Sequence, residues 1–205
     1  MNKSAFLKLL ATHLYPVLRA EGFKGSGQTL RRIQAPVVHV FNVQSSRDGS
    51  HCYLNLGAHL TFLPWEGGSS GEPNLISEAH CVFRDRMQPP PGPGHGWSYC
   101  SSPQEAEENV RFIVSEWERT GRAFFQRYTH YPDCFKRLLE SESPERISPR
   151  AALHLARIAV ELSDQDRART FIKSGLAQAS ERATILKSEL MSLAQKMSLD
   201  LGRQN

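Results

Sequence analysis

The chain has 205 residues, of which 40% are hydrophobic and 22% are charged. These proportions are typical of a folded globular protein, and they exclude a collagen, a coiled-coil rod and a disordered chain. The formal net charge of +4 is small for a protein that follows a phosphate backbone, because such proteins concentrate a larger basic excess on one face.

Apolar residues recur at helical spacing from Leu7 to Leu18 and predict a helix over residues 3–21, which Gly22 ends. Pro16 removes one backbone donor and predicts a kink. Polar residues interrupt this segment and no small-residue cleavage site follows, so it does not have the pattern of a signal peptide. No stretch of about 18 uninterrupted apolar residues occurs, and we expect no membrane contact. We therefore expect a cytoplasmic protein with reduced cysteines.

The next part of the chain is rich in β-branched and aromatic residues, which predicts strands. Four strands are expected: one around Leu30 and Ile33, then Val37–Val43, His51–Leu63 and Ala79–Phe83. Asp48-Gly49 indicates a two-residue hairpin turn between the second strand and the third, because both residues tolerate a positive φ. Short sequential connections favour an antiparallel sheet.

Two segments dense in glycine and proline, residues 64–74 and 88–96, are expected to be surface loops. A long helix follows them. Ser102 as N-cap, Pro103 and Glu105 form the pattern of a capping box, and an apolar stripe continues from there to Tyr128. That stripe is wide enough to cover one face of the sheet. The fold class predicted is α+β, a four-stranded antiparallel sheet packed by the N-terminal helix and the long helix.

Helical patterns continue to the end of the chain. A short helix is predicted over Pro132–Glu140, and three more begin after Ser148, Asp164 and Ser180. We place a domain boundary near residue 142, giving an α+β domain of residues 1–141 and a helical tail of residues 142–205. Small residues in this tail, Ala156 and Ala168 among them, are spaced in a way that resembles one tetratricopeptide repeat. A three-helix bundle with tight helix contacts would give the same spacing, and both interpretations stay open.

The residues that most often carry chemistry give little support for catalysis. The glycine-rich segment 22–27 follows a helix and lacks the lysine of a phosphate loop. His51-Cys52 and His80-Cys81 place neighbouring side chains on opposite strand faces, so we expect no metal site. Cys100, just before a helix N-terminus and close in sequence to His95, is the remaining candidate for a catalytic thiol. We expect no catalytic residue and no cofactor.

Three amide side chains, Asn42, Gln44 and Asn55, lie within otherwise apolar strands. An amide buried in a strand is costly unless it is hydrogen-bonded. These residues therefore either hold loops and backbone groups or face a pocket.

Three segments together resemble the bacterial domain-of-unknown-function 4304 family: residues 18–24, residues 37–45 and residues 53–57, over a region of about residues 5–138. The resemblance lies in a helix that ends in Gly22-Phe23, a strand that ends in Gln44-Ser45, and a strand with Asn-Leu-Gly at its centre. It implies the α+β fold and implies no activity.

The function we expect is that of a non-enzymatic protein-binding module, an immunity protein that neutralises a cognate bacterial toxin such as a secreted nuclease effector. Loop residues that could anchor such a partner are two acidic and three aromatic ones: Trp65, Glu66, Glu72, Trp97 and Tyr99. The other possibility is that the aromatic rings fold back onto the core.

Two further expectations concern partners. A nucleic-acid-binding or regulatory role would use the basic first third of the chain, where residues 1–63 hold seven basic and two acidic side chains. Arg31 and Arg32 are neighbours on a strand and point to opposite faces, so a single basic strip is not expected. A homodimer could form through the C-terminal helices if their apolar surface exceeds what they bury themselves.

Overall fold

The computed structural model describes residues 3–91 and 96–197. The chain divides into two compact units, residues 1–129 and residues 130–205. None of the helices in the described ranges is both long enough and apolar enough to cross a membrane.

The N-terminal segment forms two helices, α1 (Lys3–His13) and α2 (Tyr15–Ala20), rather than one. The break at Leu14 fits the kink expected from Pro16, since proline cannot donate the backbone hydrogen bond of a regular helix. Gly22, with φ of +90°, ends α2 as expected, and the Phe23 amide donates to the Leu18 carbonyl over 3.1 Å.

The first unit contains an antiparallel sheet of six strands: β1 (Lys24–Ser26), β2 (Thr29–Gln34), β3 (Val37–Ser45), β4 (His51–Leu60), β5 (Phe83–Met87) and β6 (Trp97–Ser98). The strand order is β1-β2-β3-β4-β5. The short strand β6 pairs with the first two residues of β4, ahead of the residues that pair with β5. The hairpin between β3 and β4 is confirmed. Its loop is longer than two residues, because β3 ends at Ser45 and β4 begins at His51. The Ser46 amide donates to the His51 carbonyl over 2.9 Å.

The prediction of four strands was wrong in three places. Residues 24–26 form a separate strand because Gly25 and Gly27, both with positive φ, turn the chain back onto β2. Residues 97–98, expected in a loop, pair with β4. The strand expected over 79–83 lies four residues later, because a turn of 3₁₀ helix at Glu78–His80 occupies that position.

One face of the sheet is covered by α3 (Pro103–Glu116), a π-helical turn (Trp117–Gly121) and α4 (Arg122–Gln126). The capping box at the start of α3 is confirmed, since Ser102 Oγ accepts from the Glu105 amide over 3.2 Å. Phe41 on β3 meets the Trp117 ring edge to face, with ring centres 5.7 Å apart. The aromatic core of the unit therefore lies between the sheet and these helices.

The opposite face is covered only at one end. There Val38 and Val40 of β3 pack beneath Ile76 and Cys81, with Trp65 against the same cluster. We call residues 61–82, which cross this end, the covering segment. Gly57 lies directly below it: a Cβ at this position would stand 2.8 Å from Cys81 Sγ. The rest of this face is open, and we call it the open face.

The second unit is helical, with α5 (Asp133–Ser141), α6 (Pro149–Glu161), α7 (Gln165–Gln178) and α8 (Thr184–Lys196). Ser148 and Asp164 act as N-caps for α6 and α7, as the sequence predicts. Gly175 lies close to Leu190 of α8. The division between the units falls before α5 rather than near residue 142, because α5 packs on α6.

Candidate functional site

A row of polar side chains crosses the open face. Thr29, Asn42, Asn55 and Arg86 stand directly opposite one another on β2, β3, β4 and β5. Alternate residues of a strand point to the same face, so Asn42 shares its face with Val40 and lies on the side away from the helices. We call these four residues the polar row.

The row is joined by side-chain hydrogen bonds. Asn42 Nδ2 donates to Thr29 Oγ1 over 2.8 Å, and Asn55 Nδ2 donates to Gln44 Oε1 over 3.1 Å. Arg86 Nε donates to Asn55 Oδ1 over 3.0 Å. All three amides therefore hold neighbouring groups in place, and Asn55 also lines the groove beside the row.

Arg86 is held from two directions. Besides its bond to Asn55, its guanidinium carbon lies 4.2 Å from the centre of the Tyr53 ring, a cation–π contact that adds about 0.5–1 kcal/mol at an exposed site. Arg84 is two residues earlier on the same edge strand and the same face. Among the described residues, neither guanidinium is paired with a carboxylate. Two exposed cations therefore stand on this face, one of them with a fixed orientation.

A groove of about 360 Å³ lies beside the row, lined by residues of β4, β5 and the covering segment: Asn55, Glu78, Arg84, Asp85, Arg86 and Gln88. Its charges are mixed, with two arginines and two acidic residues. It contains hydrogen-bond donors and acceptors and no nucleophile. Within residues 3–91 and 96–197, no cluster of metal-binding side chains occurs here or elsewhere.

The structure places three of the five predicted partner-binding residues on the covering segment. Trp65 is half-buried and stacks on His80, with ring centres 4.6 Å apart and planes 14° from parallel. Glu66 is half-buried, and its amide donates to the His80 carbonyl over 2.9 Å. Glu72 is exposed. These residues lie beside the open face but are not part of the polar row.

The other two predicted residues are in the core, which corrects the expectation that they anchor a partner. Trp97 is 1% exposed and Tyr99 is 4% exposed. Trp97 Nε1 donates to the Met87 carbonyl over 2.9 Å, and the Tyr99 hydroxyl donates to Ser45 Oγ over 3.1 Å. Pairing of β6 with β4 draws both rings inward, so the alternative that they fold back onto the core holds.

Three of the four thiols lie in the core. Cys52, Cys81 and Cys134 are buried, and burial raises the pKa of the Cys52 thiol to about 12. Cys100 is only partly exposed, and its thiol donates to the Ser98 carbonyl over 3.4 Å. His95, the partner considered for it in the sequence, lies outside the described residues.

Arg31 and Arg32 point to opposite faces of the sheet, as the strand alternation predicts. Arg31 Nε donates to the Ile76 carbonyl over 2.6 Å on the covered side. Arg32 points the other way, where its Nε donates to His39 Nδ1 over 3.1 Å and its guanidinium lies 5.0 Å from the Phe23 ring centre. Neither arginine is available to form a continuous basic strip.

Sequence patterns located only part of the site. Asn42, Gln44 and Asn55 stood out because amides interrupt apolar strands. Arg86 was missed because the predicted fourth strand ended at residue 83. Alternation of Phe83, Asp85 and Met87 with the two arginines is the signal that could have found it, since it places Arg84 and Arg86 on one face of β5.

Comparison with known proteins gives one match. The profile of the family described as Domain of unknown function (DUF4304) matches residues 14–138. That region contains all six strands, α3, α4 and the whole polar row. No curated protein and no solved structure matches the chain.

Proposed function

The chain belongs to the DUF4304 family, and on that premise we propose that it is a non-enzymatic protein-binding module that recognises its partner through the open face of the sheet. The observation that carries this proposal is Arg86, held by Asn55 and Tyr53 and placed beside Arg84 on an exposed strand. A cation fixed before binding loses less conformational entropy when it meets a partner.

Carboxylates on a partner protein are the groups that fit these arginines best. A guanidinium presents a planar set of donors that can bind a carboxylate in bidentate fashion. Glu78 lines the same groove and would repel a phosphate backbone, whereas a protein surface can offer a cation to it. The mixed charge of the groove favours a protein over nucleic acid.

The partner we propose is a bacterial toxin or effector that the chain neutralises by direct binding, as an immunity protein does. Glu72 on the covering segment is exposed and Glu66 is half-exposed beside the open face, so they can add contacts at its border. Trp65 contributes its exposed edge. Trp97 and Tyr99 take no part because they are buried.

The experiment is a binding measurement with charge-reversed variants. Arg84→Glu/Arg86→Glu removes both cations of the open face, and Arg111→Glu/Arg127→Glu makes the same charge change on exposed residues of the helical side. The partner tested is the product of the neighbouring gene, by calorimetry and by rescue of growth on co-expression. We expect the first pair to weaken binding at least tenfold, about 1.4 kcal/mol, and the second pair less than twofold.

Different outcomes refute different parts of the proposal. Equal effects of the two double variants would show that the open face is not the binding surface. A neighbouring product that is harmless without this protein would exclude an immunity role. Binding of a labelled oligonucleotide, weakened steeply by salt and lost in Arg84→Glu/Arg86→Glu, would favour the nucleic-acid alternative.

A further inference from the structure

A second groove lies at the other edge of the sheet, away from β5. It has a volume of about 640 Å³ and runs between one face of α1 and α2 and the turn that joins β1 to β2. Nothing in the polar row contributes to it. The two surfaces can therefore be tested separately.

The floor of this groove is apolar and follows the helix. Leu7, Ala11 and Tyr15 are spaced four residues apart, which places them along one side of the helical segment. The Tyr15 hydroxyl donates to the Gly27 carbonyl over 2.8 Å. This bond ties the turn to the helix, so the helical segment and the turn form the two sides of the groove.

The charged residues around the floor all have the same sign. Lys3, Lys8 and Arg19 border the groove, and its lining includes no acidic residue. All three are exposed, and none is paired with a carboxylate in the part of the chain that the structure describes. The cations stand at both ends and along the side, so the surface complements an anionic occupant along its whole length.

We propose that this groove binds an amphipathic helix of a partner protein, with an apolar stripe on its floor and acidic residues against its cations. The lining runs from Lys3 to Arg19, about 24 Å at the rise of an α-helix, which corresponds to roughly four turns of a bound helix. Binding by anchors at positions i, i+4 and i+7 is a common form of helix recognition.

Other occupants fit the geometry less well. Small-molecule sites generally enclose most of the ligand surface. This groove is open along its length, so a bound fatty acid would keep much of its acyl chain exposed to water. A helix matches both the length of the groove and its open top.

The test uses the full chain and a fluorescein-labelled 18-residue peptide as probe. The peptide carries leucines at helical spacing, flanked by glutamates, and its control is a scrambled sequence of the same composition. Ala11→Trp fills the floor, and Ala123→Trp is a matched control at an exposed position of α4. Lys8→Glu/Arg19→Glu reverses the charge. Fluorescence anisotropy gives the affinities, and urea unfolding confirms that each variant is folded.

We expect the helical peptide to bind at least tenfold more tightly than the scrambled one. Ala11→Trp and Lys8→Glu/Arg19→Glu should each weaken that binding at least tenfold, and Ala123→Trp less than twofold. Equal binding of the two peptides, or an unchanged affinity in Ala11→Trp, would overturn the proposal. Preferential binding to phosphatidylglycerol vesicles, or displacement of the probe by palmitate that itself binds, would assign the groove to lipid instead.

Discussion

Replacing His39 with glutamine is expected to make the first unit markedly less sensitive to acid. His39 is 1% exposed. Its Nδ1 accepts hydrogen bonds from Arg32 over 3.1 and 2.9 Å, which leaves the proton on Nε2, 3.2 Å from the Tyr128 carbonyl. Burial, and then the charge of Arg32, lower the pKa of the imidazole to about 3. The native structure therefore holds His39 neutral.

The size of the effect follows from this pKa. An unfolded chain protonates its histidines at about pH 6.5, whereas the folded chain resists protonation of His39 down to about pH 3. The stability that depends on a neutral His39 is thus complete above pH 6.5 and is lost as the pH falls from there toward 3. The loss is about 1.4 kcal/mol per pH unit, or about 2.5 kcal/mol between pH 7 and pH 4.5.

Urea unfolding at several pH values between 7 and 4.5 measures this loss. All three tryptophans, Trp65, Trp97 and Trp117, lie in the first unit, so their fluorescence reports its unfolding. Glutamine cannot titrate and still offers an acceptor to Arg32 and a donor to the Tyr128 carbonyl. His39→Gln should therefore lose about 2.5 kcal/mol less than the native chain over this range.

The other acid-sensitive histidines are common to both proteins and cancel in the comparison. Equal losses in the native chain and in His39→Gln would refute this account. So would an NMR titration in which His39 protonates near pH 6.5 in the folded protein.

Three further predictions concern the open face and the thiols. Gly57→Ala should lower the free energy of unfolding by about 1–3 kcal/mol, because the new Cβ meets Cys81 Sγ at 2.8 Å. In a double-mutant cycle, Gly57→Ala should cost less when Cys81→Ala is also present. Additive costs of the two substitutions would contradict the contact. Asn55→Ala should lower the free energy of unfolding, measured in urea, by about 1–3 kcal/mol. Gln44→Ala, at an exposed position, should lower it by less than about 1 kcal/mol. Equal losses would count against a structural role for the polar row. In the native protein Cys100 should react first with a thiol reagent, and Cys100→Ala should remove the fast phase; a fast phase that persists would show that a thiol assigned to the core is accessible.

Local signals predicted the parts of the fold that depend on neighbouring residues. The capping box joins Ser102 and Glu105 across three residues, and the hairpin at Asp48-Gly49 has Gly49 at φ of +71°. The break near Pro16 belongs to the same class. In each case the interacting residues are only a few positions apart in the sequence, so a local sequence pattern is enough to predict the structure.

Strands that depend on a distant partner were predicted less well. Residues 24–26 and 97–98 are too short to show alternation, and they become strands only because β2 and β4 offer a free edge. The same pairing buries Trp97 and Tyr99, which were expected from the sequence to lie in a loop. A strand edge is a property of the assembled sheet, and no local pattern reports it.

The sequence by itself determined that Asn42 and Gln44 share a face of β3, because side chains alternate along a strand. Only the tertiary structure decided which face is open. The covering segment crosses the end at Val38 and Val40 and stops short of Asn42. The pairing of β4 with β5 then brings Arg86 to Asn55 across 31 residues of chain. Such a contact depends on strand register and on the path of the covering segment, and neither is set by residues close in sequence.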